Sequence, residues 1–190
     1  AFGATLAVGR LLGLSESCLA NGLGIAATRA SGLKVQFGTM GKPLNAGFAA
    51  SAGVEAGTLA AAGLVSHPEA LEMPHGFGET HAGEANLSVA LEGLGETWMF
   101  EHVSHKFHAC CHGLHAMLEA LAKIKFEHNQ VTWVKVITNP RWMHVCNQLE
   151  PRTGLEAKFS YRLTAAMALA GRNTGALDTF CDEACVDPIL

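Results

Sequence analysis

Apolar residues recur at helical spacing through the first third of the chain. Residues 4–14 are apolar with one arginine, and Ser15 can cap a second helix that runs to about Ala30. Pro43, a residue type favoured in the first helical turn, predicts a third helix that runs to Ala62. A loop rich in histidine, proline and glycine follows at 66–81. This part of the chain is therefore expected to be all helical.

Two glycines interrupt the third predicted helix. Gly53 and Gly57 should each cost about 1 kcal/mol against alanine in an exposed helix. Their presence indicates a helix backbone that is pressed against a neighbouring helix.

The second half of the chain mixes helix and strand patterns. Residues 98–107 and 131–138 are rich in β-branched and aromatic side chains, which predicts two strands. Between them an apolar stripe predicts a helix; it consists of Leu114, Met117, Leu118, Leu121 and Ile124. A last helix is expected from Thr153, which has capping-box spacing to Glu156, to Gly171.

These patterns predict a mainly α protein in two parts. All three tryptophans follow residue 95, and charged residues are more frequent after that position than before it. We therefore expect a helical-domain portion over 1–95 and a smaller α/β portion, with strand–helix–strand order, over 96–190. Because the chain opens inside an apolar pattern and stops as an element begins, we expect a fragment of a longer protein.

The amino-acid composition excludes several classes of protein. The chain is 49% hydrophobic and 16% charged, with a net charge of −4, which suits a globular core and excludes disorder. No basic run indicates a nucleic-acid surface, and no uncharged run reaches the ~18 residues of a membrane helix. The six cysteines are not spaced like those of a disulfide-bonded secreted domain, which favours free thiols and a cytoplasmic protein.

The first candidate for chemistry is Lys42, on a glycine-flanked turn before the third predicted helix. Free amides and the helix dipole attract anions to such an end, and the lysine adds a full positive charge. The pattern suits a carboxylate substrate or proton transfer. A plain surface lysine remains the alternative.

The second candidate is a cluster of histidines and cysteines within 102–115. Zinc could bind His105, His108, Cys110 and Cys111, although their spacing matches no ordinary zinc pattern. Histidines at helical spacing could instead line a substrate cleft and serve as acids or bases. Solvated or packing histidines are the third alternative.

The third candidate is the start of the last predicted helix. Lys158, Tyr161 and Arg162 stand three and four residues apart, so on one helix they share a face. The buried stripe expected on this helix includes Phe159 and lies on the opposite side from Tyr161. We therefore predict that Tyr161 faces a cleft and not the core; a solvated basic face is the alternative.

Several segments resemble, in order, the MmgE/PrpD family. They are Leu11-Leu12-Gly13-Leu14, Gly24-Ile25-Ala26-Ala27 with Ser31-Gly32, Gly38 to Gly47 followed by Ala49-Ala50, Lys106-Phe107-His108-Ala109-Cys110-Cys111 ending in His115, and Glu156 to Ser160. The family contains 2-methylcitrate dehydratase, cis-aconitate decarboxylase and iminodisuccinate epimerase. The resemblance implies a helical domain with a smaller α/β lid domain, a homodimer, and no metal or organic cofactor.

The resemblance also implies roles for particular residues. Lys42, Tyr161 and His115 are expected to be catalytic, and the expected substrate-binding residues are Lys106, Cys111, His108 and Lys158. A histidine stands at the position of Cys111 in the decarboxylase branch, so the resemblance favours a dehydratase. Family histidines expected before Ala1 are absent, so this piece is expected to be inactive alone.

The leading hypothesis is thus a cofactor-independent hydro-lyase that acts on a small di- or tricarboxylic acid such as 2-methylcitrate. Proton abstraction next to a carboxylate needs a base, and cations must hold the carboxylates and the developing enolate. The alternatives are an isomerase, epimerase or decarboxylase of the same family, a non-enzymatic zinc-binding helical module, and a helical assembly module without activity. No nucleic-acid or membrane partner is expected.

Overall fold

A computed structural model of the chain describes residues 1–82, 86–127 and 130–190, which fall into two compact units. The first unit consists of Ala1–Leu33 and Pro43–His102, and the second of Lys34–Lys42 and Val103–Leu190. The short segment Lys34–Lys42 thus belongs with the second half of the chain. The domain boundary near residue 95 stays a prediction.

The first unit is built from helices, as predicted for this part of the chain, although a helix also begins at Phe77, within the segment 66–81 that was expected to be a loop. They are α1 (Phe2–Leu11), α2 (Glu16–Arg29), α3 (Gly41–Ala61, whose first two residues belong to the second unit), α4 (Phe77–Ala82) and α5 (Leu87–Leu91), followed by a 3-10 turn at Met99–His102. The hydroxyl of Ser15 accepts the N–H of Cys18 at 3.4 Å and caps α2, which confirms that helix start.

Helices α1 and α3 pack at a distance that only glycine permits. A Cβ at Gly53 would lie 2.5 Å from the carbonyl oxygen of Ala1, and one at Gly57 would lie 2.9 Å from Cγ1 of Val8. The close backbone approach predicted from these two glycines is therefore confirmed.

The second unit contains four α-helices in the described part of the chain. These are α6 (His112–Lys123), α7 (Pro140–Met143), α8 (Gly154–Ala157) and α9 (Tyr161–Leu169), with 3-10 turns at Lys34–Gln36 and Glu183–Cys185. Its core includes the fully buried Leu114 and Met167, with Leu118, Cys146 and Tyr161 around them. Helix α6 carries Leu114, Met117, Leu118 and Leu121 of the predicted stripe, whereas Ile124 is its C-cap residue and is 58% exposed.

The two predicted strands are wrong for the residues that the structure describes. Residues 98–107 contain a 3-10 turn, 131–138 run without a ladder, and the β pairing seen is one isolated bridge between Asn147 and Ser160. β-Branched residues favour a strand only where a partner strand covers them. Trp133 and Ile137 are 76% and 87% exposed, so no such partner packs on this segment. The α/β character expected for 96–190 is accordingly not observed.

The long helix expected from Thr153 to Gly171 is also wrong, because Ser160 divides it. Thr153 caps α8 through the N–H of Glu156 at 3.2 Å, as predicted. The buried hydroxyl of Ser160 then donates to the carbonyl of Gln148 at 2.7 Å and accepts the N–H of Leu163 at 3.2 Å. A serine that bonds to backbone groups in this way starts a new helix. Lys158, the C-cap residue of α8, and Tyr161, the first residue of α9, therefore share no helical face.

Among the described residues, no helix combines the length and the apolar character that crossing a bilayer requires.

Candidate active site

The candidate site is built around the first turn of α6. Cys111 is the N-cap residue of this helix, and its N–H donates to the carbonyl of Lys158 at 2.9 Å. A Cβ at Gly113 would lie 2.6 Å from Cε3 of Trp142 and 3.0 Å from Sγ of Cys146. Glycine at this position thus lets Cys146 approach the turn that carries Cys111.

The thiols of Cys111 and Cys146 form a hydrogen bond. This bond is the largest cause that lowers the pKa of Cys111 from 9.0 to about 6, and burial opposes it. The backbone N–H of Gly113 and the charges of Lys106 and Lys42 lower that pKa further. These effects favour the thiolate form of Cys111, which is half-buried.

The two neighbouring cysteines behave oppositely. Burial raises the pKa of Cys110 to about 12, and the charge on Cys111 adds to this effect. The hydrogen bond to Cys111, together with burial, raises the pKa of Cys146. Of these three thiols, Cys111 thus ionises most readily.

Lys42 reaches the same site from the first turn of α3. Its ammonium lies 4.9 Å from the ring centre of Phe159 and 5.3 Å from that of Phe37, which stacks on Phe159. The helix begins at Gly41 and not at Pro43, so Lys42 lies within it. Thr39 accepts the N–H groups of Gly41 at 3.1 Å and of Lys42 at 3.3 Å. The free amides proposed from the sequence are therefore occupied here, and the lysine side chain is what remains for an anion.

Lys106 supplies the second positive charge. Its exposed side chain donates from Nζ to the carbonyl of Cys110 at 3.3 Å. The same charge lowers the pKa values of Cys111 and His115, so Lys106 lies near both groups.

His115 has one ring nitrogen without a hydrogen-bond partner among the described residues. It stacks on His112 at 5.2 Å and meets His108 edge-to-face at 5.1 Å. Burial, followed by the charges of His108, His112 and Lys106, lowers its pKa, and a hydrogen bond with the backbone of Cys110 opposes this shift. Its Nε2 atom is buried and has no hydrogen-bond partner in the part of the chain that the structure describes. Since buried polar atoms are normally paired, such an orphan marks a functional candidate.

Two of the three remaining predicted site residues, His108 and Lys158, are already engaged. His108 uses both ring nitrogens, with Nδ1 2.8 Å from Oγ1 of Thr174 and Nε2 3.3 Å from Oε1 of Glu119. Lys158 is half-buried, with its Nζ 5.9 Å from the ring centre of Phe180. His108 is thus placed to support the ring of His115.

The prediction that Tyr161 faces a cleft is wrong. Tyr161 is 7% exposed; its hydroxyl donates to the carbonyl of Gly113 at 2.8 Å and lies 2.9 Å from Oγ1 of Thr138. Burial raises its pKa. The helix break at Ser160 explains the error, because the expected continuous helical face does not exist. The catalytic role of Tyr161 rests on the resemblance alone.

The sequence did not predict three residues of this site. It indicated that Cys146 is a free thiol and that Phe159 is buried, but it assigned neither residue to the site. It gave no indication about Phe37. No spacing links residues so far apart in sequence. The glycine at 113 is the one local signal, since it marks a close approach to the helix start.

Metal binding needs several converging donor side chains. Within 1–82, 86–127 and 130–190, no group of three or more histidine, cysteine or acidic side chains could hold a metal ion. The zinc alternative built on His105, His108, Cys110 and Cys111 thus has no support from these residues.

The sequence matches the model of a known protein family. A model of the MmgE/PrpD N-terminal domain matches residues 1–90. The chain belongs to the MmgE/PrpD family. That match includes Lys42 and ends before Lys106, Cys111 and His115.

Relatives extend the similarity beyond this domain. Cis-aconitate decarboxylase of Aspergillus terreus is 32% identical over 148 residues, which is 74% of this chain and 30% of that protein. The cis-aconitate decarboxylase-like protein oryM of Aspergillus oryzae is 31% identical over 130 residues, or 64% and 27% of the two chains. The matched region thus spans about a third or less of each of these MmgE/PrpD relatives.

Proposed function

We propose that the protein to which this chain belongs is a lyase that acts on a small di- or tricarboxylic acid by proton transfer next to a carboxylate, without a cofactor. Membership of the MmgE/PrpD family and the similarity to proteins named cis-aconitate decarboxylase support this proposal. A homodimer in the cytoplasm is part of the proposal and rests on the resemblance and on the cysteine usage.

One observation carries the proposal. The positive charges of Lys42 and Lys106 both lower the pKa of Cys111, and the buried Nε2 atom of His115, near Lys106, has no hydrogen-bond partner among the described residues. The two ammonium groups suit a substrate with several carboxylates, and they would stabilise negative charge that develops on a carboxylate or an enolate. A neutral imidazole can accept a proton from carbon and return it.

Dehydration and decarboxylation are the two leading reactions for this site. The family resemblance favours dehydration of an acid such as 2-methylcitrate, because Cys111 replaces the histidine of the decarboxylase branch. The named relatives point to decarboxylation of cis-aconitate. Both reactions need carboxylates held by cations and a proton moved at the adjacent carbon, which are the tasks assigned to Lys42, Lys106 and His115. Isomerisation or epimerisation would use the same proton transfer.

The test is turnover by the protein made from its complete reading frame. Proton NMR would follow 2-methylcitrate and cis-aconitate separately, before and after dialysis against a chelator. We expect one acid to be consumed, with loss of water or carbon dioxide, at a rate that the chelator leaves unchanged. No turnover of either acid or any related di- or tricarboxylate would contradict the proposal. Activity that zinc restores after chelation would contradict its cofactor-independent part.

A further inference from the structure

The hydrogen-bonded sulfurs of Cys111 and Cys146 differ sharply in exposure. Cys111 is half-buried and caps the N-terminus of α6, where the charges of Lys42 and Lys106 reach it, whereas Cys146 is completely buried beneath the same turn, with its Sγ 3.0 Å from the place of a Cβ at Gly113. Cys111 is therefore the partly exposed member of the pair, and Cys146 is packed against its turn and shielded. We propose that Cys111 and Cys146 are a peroxide-reactive thiol pair in which Cys111 is oxidised first and Cys146 closes a disulfide.

The first step is attack of the Cys111 thiolate on a hydroperoxide. The sulfur forms a bond to one peroxide oxygen, the O–O bond breaks, and the leaving hydroxide takes a proton to become water. Cys111 is thereby oxidised by two electrons to a sulfenic acid, and hydrogen peroxide is reduced to water. The lysine charges favour this step because they stabilise the attacking thiolate.

The second step is attack of Cys146 on the oxidised sulfur. The Cys146 thiol loses its proton, its sulfur bonds to Cys111, and the S–O bond breaks with release of a second water. While Cys111 is a thiolate, its charge opposes ionisation of Cys146. Conversion of Cys111 to a neutral sulfenic acid removes that opposition. The exposure of the two cysteines and the order in which they ionise thus both predict that Cys111 is oxidised before Cys146 reacts.

The other cysteines provide internal comparisons. Cys110 is adjacent to Cys111 in sequence, but its thiol is buried and resists ionisation. The thiol of Cys185 donates to the carbonyl of Cys181 at 3.8 Å, so it bonds to backbone and not to a second sulfur. Neither should compete with Cys111 for peroxide.

The test uses the reduced 190-residue chain and hydrogen peroxide at pH 7. After oxidation, free thiols are blocked with N-ethylmaleimide in denaturant, and tryptic peptides are analysed without reduction. Peptides 107–123 and 142–152 should be recovered linked, with fragmentation placing the bond at Cys111 and leaving Cys110 blocked by maleimide. In Cys146→Ser the link should vanish, and a dimedone adduct should accumulate at Cys111.

This test needs no substrate, so it stands apart from the proposed function. The decisive result comes from the wild-type chain and does not depend on whether a variant folds. A Cys181–Cys185 disulfide at equal or greater yield would overturn the proposal. A dimedone adduct on Cys110 or Cys146 in place of Cys111 would also overturn it, as would a Cys111 that stays reduced.

Discussion

The ammonium group of Lys42 lies 4.9 Å from the ring centre of Phe159, and Phe37 stacks on the same ring at 5.8 Å. These contacts hold the segment Lys34–Lys42 to the rest of the second unit. In the part of the chain that the structure describes, no carboxylate lies within ion-pairing distance of Lys42. Because aromatic faces position this charge without neutralising it, the lysine remains available to an anion.

Lys42→Met and Phe159→Leu should show coupled effects on stability. Each removes one partner of the cation–π contact, so the double variant should lose less free energy of unfolding than the two single losses added together. We expect a coupling of about 0.5–2 kcal/mol, measured by urea unfolding of all four proteins. Strict additivity would mean that the contact contributes nothing.

The reactivity of Cys111 should depend on pH in a way that Cys146 controls. Only the thiolate reacts, so alkylation by iodoacetamide should rise with pH, reach half its maximum near pH 6, and level off above it. Cys146→Ala removes the S–H donor and should move the midpoint to higher pH. Cys146→Ser keeps a donor and should move it less. Unchanged midpoints in both variants would show that the hydrogen bond does not set this pKa.

Tyr161→Phe should affect stability more than chemistry. Loss of the hydroxyl leaves the buried carbonyl of Gly113 without this donor, which typically costs about 1–3 kcal/mol. Thermal unfolding would register the loss. If the complete enzyme carrying this substitution kept its stability but lost turnover, Tyr161 would regain the catalytic role that its burial argues against.

Two glycines of α3 should respond oppositely to alanine. Gly53→Ala brings a Cβ within 2.5 Å of the Ala1 carbonyl oxygen and 2.9 Å of the Thr5 backbone nitrogen, and we expect it to cost about 1–3 kcal/mol. Gly47 has nothing within 4 Å of such a Cβ, so Gly47→Ala should stabilise the helix by up to about 1 kcal/mol. Chemical unfolding of both variants measures the difference. Equal effects would contradict the close contact of α1 with α3.

Helices and their caps were predictable because their signals are local. Ser15 and Thr153 identified helix starts from their own neighbourhoods, and the glycines of α3 indicated a close contact. Strands depend on partners elsewhere in the chain, so 131–138 had the composition of a strand without the pairing. The helix break at Ser160 depends on Gln148, a residue twelve positions away.

The family motifs indicated which residues lie close together, while the roles of these residues stay predictions. Lys42 and Lys106 lie near Cys111, and Lys106 lies near His115. Cys146 and Phe159 could not be assigned, because only the packing of α6 and of Lys34–Lys42 brings them to the site. Tyr161 was misplaced because its position was derived from a helix that Ser160 interrupts.

The central claim is that Lys42 holds a carboxylate of the substrate, and it is tested most directly by kcat/KM of the complete enzyme with Lys42→Ala and Lys34→Ala. Lys34 lies in the same segment, is exposed, and is the matched control. Loss of a charge-assisted hydrogen bond costs about 1.5–3 kcal/mol, or roughly 10- to 150-fold. We expect a fall of that size for Lys42→Ala and less than twofold for Lys34→Ala. A Lys42→Ala enzyme within twofold of wild type would contradict the claim.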